Sequence, residues 1–208
     1  MTEAPLLGKG RIEALTDGIF AVAMTLLVLD VKLPIEPADL DGPGLRAALV
    51  ALLPKFESYV VSFAVLCVFW LGHHRLMHQV KLVDHGFLWL NLLFILFITF
   101  VPFATSLMGA YRDLDDVAVI YGVNLAAILG MQCLMWHRAI LRLREPPGES
   151  TALWRIVRNR YLLAFGVVAL ALALALFDIA FAIYIYLLLI VLGMFRPKPI
   201  PDGAARSG

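Results

Sequence analysis

Charge is what this sequence has least of. Its 17 Lys and Arg and 16 Asp and Glu make up 16% of 208 residues, against 62% hydrophobic, whereas a soluble domain carries about 25% charged and 45–50% apolar residues. The deficit excludes an ordinary soluble domain, and a net charge of +1 argues against a nucleic-acid-binding surface. Cysteine is nearly missing: Cys67 and Cys133 both sit inside apolar segments, which excludes a secreted disulfide scaffold and predicts buried free thiols. No short apolar run followed by a small-residue cleavage site stands out, so the first hydrophobic segment is expected to stay on the mature chain. A Gly-rich phosphate loop, a Ser/His/Asp order and paired carboxylates on one apolar segment are lacking too, so an enzyme is not expected.

What is present is a series of long apolar runs. Crossing about 30 Å of hydrocarbon takes roughly 20 mostly apolar residues, and six segments qualify: 12–33, 55–75, 85–108, 116–137, 160–177 and 179–195. The last two come from one run broken by Asp178, where a tight hairpin is expected. Residues 1–196 thus form one all-α integral membrane domain, and 197–208, PKPIPDGAARSG, read as a disordered tail. A short interfacial helix is expected over 44–53, ending where Pro54 opens the second span. Thirteen of the 17 Lys and Arg fall on the N-terminus, the 75–84 turn, the 138–160 loop and the tail, and Lys32, Arg46, Lys55 and Arg112 fall elsewhere. By the positive-inside rule both termini are cytoplasmic, which also favours an even number of spans.

Polar groups inside the spans mark a pathway or a network. Asp17 lies six residues, about 9 Å, past Arg11. Trp70 and His73 lie roughly 3–8 Å from the same surface, and Asn91 about 9 Å below it, so the four can share a layer. Such a layer is either a proton or cation site or a hydrogen-bonded clasp between three helices, and the clasp is favoured because indole and amide donors satisfy a carboxylate otherwise left unpaired. At about 100° per residue, Val22, Thr25, Leu26 and Leu29 fall in one arc of about 100°, with Asp17 roughly 140° from Val22. If the Val22 face looks into a pore, Asp17 looks into its own bundle. His74 and His78 have the i, i+4 spacing that allows one helical face to bind a metal. The Glu of the zinc-protease pattern is missing, and the histidines read instead as interfacial residues. Neither a bound metal nor another cofactor is expected.

The run Arg11-x-x-x-Leu15-Thr16-Asp17 resembles the Arg-x-x-x-Phe-Ser-Asp signature of the lysosomal potassium channel family of the transmembrane protein 175 type, in its bacterial members. The likeness continues through WLGHHRLM (Trp70 to Met77), Asp84 and WLNLLFILFITFVPFATSLMGAY (Trp89 to Tyr111). Leu15 and Thr16 replace Phe and Ser conservatively. The resemblance implies a homotetramer of six-span subunits in which the first helix of each copy lines a central pore; this chain carries the Arg11–Asp17 pattern once, whereas animal relatives carry two repeats and dimerise. It implies no carbonyl filter, and no Thr-Val-Gly-Tyr-Gly segment occurs here. The constriction it implies is apolar, at Val22, Leu26 and Leu29, with a threonine layer at Thr25. Val22 is smaller than the Ile or Leu expected there. The signature positions Arg11, Thr16 and Asp17 join Trp70, His73 and Asn91 in the polar network, and Asp30 with the acidic outer loops concentrates cations at the mouth. The function implied is a leak-like, potassium-permeable channel for monovalent cations in the plasma membrane, without a voltage sensor. The alternative is a proton-coupled secondary transporter using Asp17 and His73.

Overall fold

In the computed structural model the described residues are 8–33, 42–80, 83–111, 114–141, 147–175, 185–186 and 188–189. Among them five helices follow in order: α1 (Lys9–Val28), α2 (Gly42–Gln79), α3 (His85–Ala110), α4 (Asp115–Leu141) and α5 (Pro147–Ala175). α2, α3, α4 and the Trp154–Leu174 part of α5 are long and apolar enough to cross a membrane, which makes this a multi-pass membrane protein. The hairpin at Asp178, most of the 179–195 span and the tail over 197–208 lie outside the described residues.

Helix bounds depart from the hydropathy reading in α2, α5 and α1. Residues 44–53 and the second span form one helix, because Leu45–Leu53 is rich in the strong helix formers Leu, Ala and Arg. Pro54 has no N–H to return to the preceding turn, but its carbonyl accepts a hydrogen bond from Ser58 Oγ at 3.0 Å, and α2 runs through it. α5 opens at Pro147, well inside the segment expected to be a loop up to 160. Its first turns are charged and form a helix without needing lipid. α1 ends at Val28, with Leu29 and Asp30 in a turn, short of the expected Leu33. Cys67 and Cys133 are free, as read, but only half-buried.

α3 is the hub of the bundle, packing on α1, α2 and α4, while α5 packs on α4. Its own core stripe, Phe87, Asn91, Phe94, Ile98, Val101, Ala104, Thr105 and Met108, repeats at three and four residues, the spacing of one helical face. α3 begins on Asp84, whose carboxylate accepts from the Phe87 N–H at 2.8 Å and so caps the helix. The same carboxylate accepts a fork from Arg138 near the end of α4, Nε to Oδ1 at 2.9 Å and Nη2 to Oδ2 at 3.0 Å, with Nε also 3.2 Å from Oδ2. That fork fits only because Gly86 lacks a side chain: a Cβ there would collide with the Arg138 guanidinium. Gly86→Ala is expected to push Arg138 off Asp84 and to cost about 1 kcal/mol, the scale of a partly exposed charged pair. In an Arg138→Gln background the same substitution should cost nothing, and thermal unfolding of the four proteins in detergent measures the cycle.

The opposite end of the bundle is held by hydroxyls. Ser62 Oγ of α2 lies 2.8 Å from Thr105 Oγ1 of α3 and 3.0 Å from Tyr121 Oη of α4, all three buried. Between the two ends, Gln132 of α4 donates to the Phe69 carbonyl of α2 at 2.9 Å, lying against Gly72.

Candidate functional site

α1 presents two unlike faces. Ile12, Thr16, Phe20, Ala23 and Leu27 are buried, at steps of four, four, three and four residues, and Phe20 meets the Phe94 ring of α3 with centroids 5.9 Å apart. Pointing away from the bundle are Val22 (54% exposed), Leu26 (44%) and Leu29 (58%), together with the exposed Thr25. These four share one side of the helix. Thr25 Oγ1 donates its proton to the Val22 carbonyl at 2.8 Å, which leaves the lone pairs of the oxygen free to accept. Gly18 stands on the same side with nothing near the position of a Cβ. Arg11 is exposed at the start of the helix and, among the described residues, makes no hydrogen bond to the polar network.

The inward layer is two clasps rather than one. Trp70 Nε1 donates to Asp17 Oδ1 at 2.8 Å, in an exposed setting. Beside it, Asn91 Nδ2 donates to Thr16 Oγ1 at 3.0 Å, while Asn91 Oδ1 lies 2.9 Å from His73 Nε2. Donors meet acceptors throughout when His73 carries its proton on Nε2. His73 also stacks on Phe94, with centroids 5.4 Å apart at 11°, and Thr16, His73 and Asn91 are all buried.

This corrects two expectations. Among the described residues Asp17 is an exposed carboxylate held by the Trp70 indole, not a buried one satisfied by indole and amide donors together. The signature residue that reaches Asn91 is Thr16, because 100° of helical rotation separates neighbouring residues and places Thr16 in the buried arc and Asp17 on its flank. Asp17 and His73 bond to different partners.

At the far end of α1, Ser106 Oγ of α3 donates to Asp30 Oδ1 at 2.9 Å, so the mouth carboxylate is tied to the hub helix. Ser106, the Ser62–Thr105–Tyr121 cluster and the Asp84–Arg138 fork were not singled out from the sequence. The rise of about 1.5 Å per residue that puts Asp17 and Asn91 at one depth also puts the three hydroxyls in one layer. The fork had no such signal, since nothing local pairs residues 54 apart.

Residues 11–102 match the family model described as the endosomal/lysosomal potassium channel TMEM175. A potassium channel of Streptomyces collinus is 37% identical over 161 residues, 74% of this chain and 76% of the relative. One from Chamaesiphon minutus is 35% identical over 179 residues, 80% of this chain and 88% of the relative. The human endosomal/lysosomal proton channel TMEM175 is 32% identical over 175 residues, which cover 79% of this chain but 34% of that longer protein. Among solved structures, the crystal structure of a lysosomal potassium-selective channel TMEM175 homologue from Chamaesiphon minutus superimposes with a TM-score of 0.76 at 31% identity. That match covers 89% of this chain and 95% of the other.

Proposed function

Because this chain belongs to the TMEM175 family of endosomal/lysosomal potassium channels, we propose that it is a leak-like, potassium-permeable channel in which four copies of a six-span subunit surround a pore lined by α1. The observation that carries this reading is the outward stripe of α1, where the exposed Val22, Leu26 and Leu29 stand with one exposed hydroxyl, that of Thr25. Rings of Val and Leu close a narrow passage by excluding water, and a ring of Thr25 oxygens replaces part of the hydration shell of a cation. A lipid-facing role fits α1 less well, since it carries Arg11, Glu13 and Asp17 and is not among the helices apolar enough to cross a membrane on their own composition. Assembly around a central axis shields it.

In this arrangement Asp30, tethered by Ser106, holds negative charge at the outer mouth and raises the local cation concentration. The asymmetry of Lys and Arg supports both termini lying in the cytoplasm, and the membrane proposed is the plasma membrane. No cofactor is required beyond the permeant ion. A proton-coupled transporter built on Asp17 and His73 has less support, because the two groups hydrogen-bond to different partners.

Purified protein in liposomes should pass potassium without saturation, at a rate set by the gradient. No flux where a known channel conducts would sink the proposal. Thr25→Val should keep conduction but, by removing the whole ring of oxygens, lower the preference for potassium over sodium on the order of threefold, less than about 1 kcal/mol of discrimination between the two ions. Reversal potentials in mixed potassium and sodium gradients measure it, and an unchanged ratio places Thr25 off the permeation path.

A further inference from the structure

Near the end of α2 two imidazoles converge on one point. His74 and His78, one helical turn apart, bring their Nε2 atoms to 3.1 Å, with rings edge-on at 89° and centroids 4.6 Å apart. Both are exposed. Two nitrogens at that separation share one proton, and a metal ion takes its place once the donor ring moves its proton to Nδ1. With metal–nitrogen bonds of about 2.0–2.1 Å, a 3.1 Å separation subtends about 100° at the ion, between the cis angle of a tetragonal site and the tetrahedral angle. The separation therefore suits a two-nitrogen ligand once the exposed rings turn both Nε2 lone pairs toward the ion.

We propose that His74 and His78 bind one borderline divalent transition ion per chain, of the class of Zn²⁺, Ni²⁺ or Cu²⁺, with water in the remaining positions. Calcium and magnesium prefer oxygen ligands and are not expected there. Among the described residues no group of three or more His, Cys, Asp and Glu is placed to hold a metal. The site is thus open and exchangeable, unlike the closed four-ligand sites that hold a fold together. Its orientation is fixed from behind: His74 stacks on Trp70, with centroids 5.7 Å apart at 21°, and Trp70 donates to Asp17 of α1. An ion that immobilises the His74 ring therefore also stiffens the Trp70 tie to α1. This site is independent of the channel reading, since it rests on the histidine pair alone.

The test uses the full chain in detergent, stripped with a chelator and titrated with Cu²⁺, then with Zn²⁺ as competitor. The expected result is one Cu²⁺ per chain, two equatorial nitrogens in the electron paramagnetic resonance spectrum, and quenching of tryptophan fluorescence that is lost in Trp70→Phe. Affinity should fall roughly tenfold or more in His74→Gln and in His78→Gln. Both positions are exposed, so size-exclusion profiles should stay unchanged. Equal binding by the double variant, or a one-nitrogen spectrum that His78→Gln does not alter, overturns the proposal.

Discussion

Leu26→Asn should raise conductance roughly tenfold, whereas Leu27→Asn, one residue on, should leave little folded protein. The two leucines are chemically identical and adjacent, yet Leu26 is 44% exposed on the outward stripe and Leu27 is 2% exposed in the core. In the proposed pore four Leu26 side chains form a dry ring, and the barrier is the cost of wetting it. An amide at each position lowers that cost, and about 1.4 kcal/mol off a barrier corresponds to roughly tenfold in rate. At Leu27 the same amide enters a packed interior with no partner, losing apolar burial and leaving a polar group unsatisfied, for about 3 kcal/mol or more. Single-channel recordings and thermal unfolding of both variants separate the cases. Equal conductance in Leu26→Asn and the parent would mean that the constriction lies on another face.

Asn91→Leu should destabilise the subunit by about 2–3 kcal/mol and reduce its assembly. Asn91 is fully buried and bridges two helices to its own, giving a proton to Thr16 and accepting one from His73. A leucine of similar volume fills the space but orphans both partners. Thr16 recovers in part by turning its hydroxyl to a carbonyl of its own helix. The buried His73 N–H has no such escape, and an unsatisfied buried group costs about 1–3 kcal/mol. Asp17→Ala should cost less, about 1 kcal/mol, because its bond to Trp70 is exposed and a typical hydrogen bond between membrane helices contributes about that much or less. Thermal unfolding and light scattering in detergent give both numbers. The reverse ranking would show Asp17 to be the principal tie between α1 and its neighbours.

The apolar runs of α3 and α4 were legible because continuous hydrophobicity over twenty or more residues has few other uses. Their flanks were less so. Hydropathy records where lipid is, not where hydrogen bonding stops, so α2 began well before the span expected at 55 and α5 began at Pro147, inside a charged segment. The polar layer followed the same division. Depth along each helix, at 1.5 Å per residue, put Asp17, Trp70, His73 and Asn91 at one level. Which of them touch depended on how each helix is turned.

What the sequence by itself determined is therefore one-dimensional: a membrane protein, apolar runs with a rise per residue that fixes depth, and a 100° step that puts Val22, Thr25, Leu26 and Leu29 on one side of α1. Only the tertiary structure decided that Thr16 rather than Asp17 meets Asn91, that Ser106 holds Asp30, and that Arg138 forks onto Asp84 over Gly86. The reason is geometric. A hydrogen bond needs its donor and acceptor within a few tenths of an ångström and a few tens of degrees, and the rotation of α1 against α3 that supplies this comes from packing between residues far apart in the chain, such as Phe20 on Phe94.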